Sequence, residues 1–267
     1  MNVLDNEQLR RKAPSVFALE PWQAQSDKYK FIPTIEVVNA LRDAGFHPVS
    51  ANQSNSRIEG KKEFTKHMLR FRSTFNQLQV NDVIPEIVLI NSHDGTSSYQ
   101  MTLGLFRCVC SNQMVVSDSQ LESIRVRHSG SNNLCQDVID ISGKIIADAP
   151  KAIETTNRWN QLLLTKEEQT AFAVSAKEVY QSTLDVSPER LLAPRRYSDI
   201  DKGTELRSLW KTFNAVQENV IRGRIYGRNT AGRLMRTRSV TSVDRDVKLN
   251  KALWVLAEKM AELKASN

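Results

Sequence analysis

The sequence predicts an α+β chain: an antiparallel-rich sheet with packed helices in residues 1–135, followed by a mainly helical part in residues 136–267. Three observations carry this prediction. Short β-rich runs separated by turn signals dominate the first part. Apolar residues at three- and four-residue spacing dominate the second. The order, strands first and helices later, belongs to α+β folds, with the helical part packed on the sheet.

The elements follow in order. Residues 1–30 mix polar residues with the isolated anchors Phe17, Leu19, Trp22 and Tyr29, which suits an extended arm or short helices. Pro33-Thr34 opens a helix with Thr34 as N-cap, carried by Val37, Val38 and Leu41 and ended at Gly45. Residues 46–49 read as a short strand and 50–60 (SANQSNSRIEG) as a loop or hairpin connection. Over residues 63–80 helix and strand compete. The alternation of Lys66, Met68, Arg70 and Arg72 with His67, Leu69 and Phe71 favours a strand with one basic face. Residues 86–91 (EIVLIN) and 99–110 (YQMTLGLFRCVC) read as strands around an Asp94-Gly95 turn, and residues 114–116 and 124–126 add short ones. A helical segment over 138–153 is interrupted at Pro150. Helices follow over 153–164 and 166–184, the second opened by the capping-box pair Thr165 and Glu168. Residues 187–196 form a turn with a short helix, and 206–221 and 243–263 are two more helices. The last carries Leu249, Leu253, Leu256, Met260 and Leu263 on one side beside Trp254, a stripe that closes the core or binds another subunit.

Composition narrows the function. The chain has 267 residues, 40% hydrophobic and 25% charged, enough for a substantial core without staples. Three cysteines make no disulfide framework, and with no apolar leader segment at the start the chain is expected in the cytoplasm. No run approaches the ~18 apolar residues of a membrane span, so no membrane partner is expected. The formal charge is +7, which permits a polyanion partner without requiring one.

The placement of that charge is more informative. Arg222, Arg224, Arg228, Arg233, Arg236 and Arg238 fall within seventeen residues, RGRIYGRNTAGRLMRTR, with no acidic residue between them. The segment holds +6, so the rest of the chain nets only +1. Guanidinium forks match phosphate oxygens, Gly223, Gly227 and Gly232 admit close backbone approach, and Tyr226 offers a ring for base stacking. A flexible Gly/Arg loop between two helices suits a nucleic-acid backbone. The alternatives to that favoured reading are a solvated linker, or arms that pair with acidic residues of a neighbouring subunit. Lys66, Arg70 and Arg72, with Lys61 and Lys62, form another basic cluster, and Arg195, Arg196 and Tyr197 a smaller one. A basic strand face beside the basic loop would make a groove.

Catalytic signals are weak. Ser92, His93 and Asp94 adjoin, but triads arise by spatial arrangement and not by adjacency. The trio reads as a specific turn from which Ser92 or His93 contacts a ligand at most. Cys108 and Cys110, with Cys135 and His128, have poor zinc spacing and read as core residues. The chain contains no phosphate-binding P-loop, no H-E-x-x-H and no clustered carboxylates for metal-dependent cleavage. No catalytic residue, metal site or cofactor is assigned, and whether the chain is an enzyme stays open.

Residues 89–116, LINSHDGTSSYQMTLGLFRCVCSNQMVV, carry a family likeness. Asn91, Ser92, His93, Asp94 and Gly95, then Gly104, Phe106, Arg107, Cys110 and Asn112, resemble the hallmark of the family catalogued as domain of unknown function number 932. Where that family often has Gly after the final Asn, this chain has Gln113. Gly45-Phe46 and residues 125–128 (RVRH) share the likeness. The resemblance implies a life on mobile elements, phages and plasmids. It also suggests a fold similar to the Rad-fifty-two-like single-strand annealing proteins, oligomers that hold single-stranded DNA in a basic groove without nucleotide hydrolysis. On that footing the chain is expected to be a homo-oligomeric ring or filament that binds and anneals single-stranded DNA. The six arginines and Tyr226 are the first contacts and Lys66, Arg70 and Arg72 the next. Asn91, His93, Asp94, Phe106, Arg107 and Asn112 are motif residues of undefined role. The rival expectation is an interaction protein that modulates a host defence system through the same basic segment.

Overall fold

A computed structural model describes residues 2–22, 31–74, 83–108, 112–116, 124–126, 134–195, 200 and 204–266. Near the N-terminus lies α1 (Asn6–Lys12), closed by a reciprocal Asp5–Gln8 capping box and followed by a 3₁₀ turn at Pro14–Phe17. Helix α2 (Thr34–Asp43) follows, and Gly45 leaves it at φ 82°, a conformation that suits a residue without Cβ. Pro33, not Thr34, is the N-cap. The Thr34 hydroxyl is not free to cap because it is committed to buried partners described below.

The sheet is built from β1 (Phe46–Gln53), β2 (His67–Ser73), β3 (Val83–Asn91), β4 (Tyr99–Arg107), β5 (Asn112–Val115) and β6 (Ile124–Val126). The order is β1-β2-β3-β4-β5, and β6 also pairs with β4. All pairs are antiparallel. Strand β1 takes in the first four residues of the expected loop, because residues 50–53 continue to pair with β2 past a bulge near Pro48. The strand reading of residues 66–72 holds in β2.

The helical part begins with α3 (Leu134–Gln161), one unbroken helix with Pro150 inside it. The expected interruption there is absent. Buried Ile145, Ile146 and Ala149 precede the proline and buried Ala152 and Ile153 follow it, so packing on both sides outweighs the one lost backbone bond. A short β7 (Leu163–Leu164) pairs with β8 (Arg207–Ser208). Between them stand α4 (Lys166–Tyr180), which carries the expected Thr165–Glu168 capping box, and α5 (Pro188–Leu192). Then come α6 (Leu209–Arg222), β9 (Tyr226–Arg228), β10 (Leu234–Arg236) and α7 (Val243–Ala265).

The sheet has two covered faces. One carries Leu69, Phe71, Ile87, Leu89 and Met101 in a buried apolar cluster that also takes in α2, α3, α6 and α7. On the other face Met68, Val88 and Ile90 meet Val243 at the start of α7. Helix α7 turns Leu249, Leu253, Trp254 and Ala257 inward, so its apolar stripe packs within the chain.

Candidate nucleic-acid interface

The arginine segment is not an open loop. Strands β9 and β10 form an antiparallel hairpin with Tyr226 opposite Arg236, Gly227 opposite Met235 and Arg228 opposite Leu234. Asn229 builds its turn: its side-chain oxygen accepts from the Ala231 and Arg233 amides, and Gly232 turns the chain at φ 74°. The hairpin is seated on the body. Arg228 and Asp185 exchange two backbone hydrogen bonds of 2.7 and 2.9 Å. A Cβ on Gly227 would lie 2.9 Å from the Asp185 carbonyl, from Leu184 and from Val186, so glycine permits the close approach. At the base, a Cβ on Gly223 would run into the Arg238 carbonyl.

Arg224, Tyr226, Arg228, Arg233, Arg236 and Arg238 are all exposed on this hairpin. Successive strand residues face opposite ways, so Tyr226, Arg228, Leu234 and Arg236 share one face. Among the described residues no carboxylate lies within ion-pair distance of Arg224, Arg228, Arg233, Arg236 or Arg238. Arg222 differs: it sits half-buried in α6, 3.1 Å from the buried Glu218. The Tyr226 ring has the Arg236 guanidinium 4.9 Å and the Arg190 guanidinium 5.5 Å from its centre. Arg190 escaped the sequence reading because it lies more than thirty residues upstream in α5, with nothing in its surroundings to mark it.

The second basic cluster is placed differently. Arg70 is 1% exposed and Arg72 12%, and both bind the wholly buried Glu86 at 3.1 and 2.8 Å. Arg72 also lies 3.8 Å over the Phe106 ring. Lys66 is held 2.7 Å from Asp244 of α7. The basic strand face therefore exists but is largely buried and ion-paired with Glu86 and Asp244, and the three residues are not an open phosphate surface. Arg195 is likewise structural, donating to the Asn219 side chain at 2.6 Å and to the Gly223 carbonyl. Arg196, Tyr197, Tyr29, Cys110 and His128 lie outside the described residues, as do the side chains of Asn112 and Arg125.

The motif residues divide between two buried networks. On one face the Thr34 hydroxyl is met by His67 Nε2 at 3.0 Å, His93 Nε2 at 3.0 Å and Asn91 Nδ2 at 3.1 Å. The proton positions follow from counting donors. Ser15 Oγ gives its proton to Gln53 at 2.7 Å and so accepts from His67 Nδ1–H at 2.8 Å. That leaves His67 Nε2 bare, and Thr34 donates to it. Thr34 then accepts from Asn91 and from His93 Nε2–H. Burial drives the His67 pKa down to about 4, against smaller opposing effects of the Thr65 carbonyl and Asp94, so the ring is neutral. Asp94 belongs to the turn. Burial pushes its carboxyl up, but hydrogen bonds from Thr96 and Ser92 and the Lys61 ammonium at 3.2 Å outweigh that and hold it below the usual range. Gly95 takes φ 74°. Ser92 and Asp94 thus share Thr96 within the turn, while His93 faces Thr34 instead.

On the other face Gly104 makes room for Arg70: a Cβ there would lie 2.6 Å from Val88 and 2.8 Å from the Arg70 guanidinium. Phe106 supports Arg72 there, whereas Arg107 alternates back to the first face, 6.0 Å from the centre of the Trp210 ring. Cys108 is half-buried, and no group of three metal-ligating side chains occurs among the described residues. No helix among them is long and apolar enough to cross a membrane.

Comparison with known proteins now bears on this arrangement. The family model described as "Domain of unknown function (DUF932)" matches residues 21–254. The chain belongs to this family. Within it, the chain is 42% identical to UPF0380 protein YafZ of Escherichia coli (strain K12) over 258 residues, 96% of the chain and 90% of that relative. It is 41% identical to UPF0380 protein YfjQ of the same strain with the same coverage. No solved structure matches. In this DUF932 chain the hallmark residues with described side chains lie in the two interior networks and the intervening turn, while the exposed arginines lie elsewhere.

Proposed function

We propose that the chain binds single-stranded DNA through the β9–β10 hairpin and anneals complementary strands without nucleotide hydrolysis, in the recombination of a mobile element. The observation that carries the reading is the set of five exposed arginines around Tyr226, with no ion-paired carboxylate among the described residues. Phosphate contacts of this kind give sequence-independent affinity, and exposed guanidinium groups hold a backbone while leaving base edges free to pair. Assembly into a ring or filament would repeat the hairpin along a continuous strand.

The charge-reversed variant Arg224→Glu, Arg228→Glu, Arg233→Glu tests it. Affinity for a labelled single-stranded oligonucleotide is expected to fall at least tenfold, about 1.4 kcal/mol or more. Unchanged affinity in a folded variant overturns the assignment. A strand-annealing assay with complementary oligonucleotides, run beside native mass measurement, tests annealing and assembly: no acceleration over the spontaneous rate removes the first, and a monomeric mass removes the second.

A further inference from the structure

We propose that Arg190 of α5 and Arg236 of β10, gathered on the ring of Tyr226, form a built phosphate-binding site for the backbone of a single-stranded nucleic acid. The identity of the ligand rests on the reading of the hairpin given above. The site itself rests on geometry.

Both guanidinium groups lie within cation–π range of one ring, at 4.9 and 5.5 Å. Both residues are exposed, and neither has an ion-paired carboxylate among the described residues. Arg236 reaches the ring from β10, and Arg190 from α5, which follows the Asp185 segment on the other side of β9. The ring's negative faces hold the two guanidinium groups, and the phosphates of one backbone supply the anions that each of them lacks. A guanidinium held over a ring still presents its N–H edge, the edge that binds phosphate oxygens.

The site is held from behind. Asn219 of α6 donates to the carbonyls of Arg190, Leu191 and Ala193 at 3.3, 2.8 and 2.8 Å, which fixes the end of α5. Arg195 joins the same Asn219 side chain to the Gly223 carbonyl at the foot of the hairpin. One buried amide therefore sets both arms, and Gly227 seats the hairpin on Leu184 and Val186. Tyr226 acts as the positioning residue: its ring carries guanidinium groups, in place of the base-stacking role its sequence context suggests.

The test uses the full chain and two probes, a labelled oligodeoxythymidine and inorganic polyphosphate, each titrated at several salt concentrations. Arg190→Ala and Tyr226→Ala are each expected to weaken oligonucleotide binding about five- to tenfold and to lower the salt slope by roughly 0.7 per lost contact. The double variant is expected to add little further, because both changes break one unit. Tyr226→Phe, which keeps the ring, recovers most of the affinity. If Arg190→Ala binds oligonucleotide like the parent while the arginine triple variant does not, this site is wrong and the hairpin reading stands. A Tyr226→Ala loss with an unchanged salt slope also overturns it, in favour of direct base stacking. Polyphosphate binding that depends on Arg190, without oligonucleotide binding by the parent, keeps the site and removes the nucleic-acid reading. Binding of neither probe removes both. Arg190→Ala changes one exposed side chain, so the test survives if Tyr226→Ala does not fold.

Discussion

At the residue scale the family hallmark is explained by what is buried. Thr34 is met by His67, His93 and Asn91, and the other nitrogen of His67 is held by Ser15. Protonating His67 puts a donor against a hydroxyl that already accepts twice, so the network must break. His67 has its pKa lowered from 6.5 to about 4 on folding. The unfolded chain therefore binds the proton first as pH falls. Its stability contribution is fully present above about pH 6.5 and is lost as pH falls toward 4, roughly 3 kcal/mol in all. Urea titrations at steps between pH 7 and 4 are expected to show this loss. His67→Gln removes one proton's worth of slope in that window; equal slopes would count against the assignment. Glu86 is the matching case on the other face. Glu86→Ala leaves Arg70 and Arg72 without their carboxylate and is expected to cost about 3–5 kcal/mol in a melting experiment. By contrast, Arg72→Ala is expected to lower stability without weakening oligonucleotide binding in the protein that stays folded. The sequence shows such residues as a basic stripe and a suggestive trio, because a one-dimensional pattern records charge and spacing but not the carboxylate or hydroxyl that meets each group.

At the scale of elements, legibility followed the strength of the local pattern. Strands β3 and β4 are long, apolar and separated by an Asp-Gly turn, and α4 announces itself by its capping box. The hairpin was hidden. Its strands have three residues each, too short for alternation to register, and its Gly/Arg composition is that of a linker. It exists because Asn229 folds the turn and Gly227 lets it dock on the segment around Asp185. Helix α3 was hidden for the opposite reason: Pro150 is a strong local signal that flanking burial overrides. If docking is what orders the hairpin, Gly227→Ala frees it. Limited trypsin digestion is expected to cut faster at Arg228 and Arg233, and oligonucleotide affinity to fall several-fold, with the melting temperature little changed. Digestion at the parent rate would show that the hairpin holds its shape without the close approach.

At the scale of the whole molecule, the division into a sheet part and a helical part describes the sequence better than the packing. One buried apolar cluster contains residues from Leu4 to Ala257. Its helical centre is a group of rings, with Trp159 at 4.6 Å from Trp254 and 5.7 Å from Phe213, joining α3, α6 and α7. The same α7 reaches the far face of the sheet, where Val243 packs on Met68 and Asp244 pairs with Lys66, and its other end pairs Lys264 with Glu168 of α4. Neither part can lose its structure without uncovering the other, so the two are expected to unfold together. The tryptophans allow this to be read. Trp22 lies on the sheet part, 5.3 Å from Phe64, and the other three belong to the helical part. In Trp22→Phe, fluorescence reports the helical part alone and far-ultraviolet circular dichroism reports both. Coincident urea transitions are expected, with the pH-dependent loss from His67 moving both equally, although that histidine lies in the sheet. Separated transitions, or an acid shift confined to dichroism, would mean that the parts are independent. The arginine hairpin would then stand on a helical body that the hallmark networks do not support.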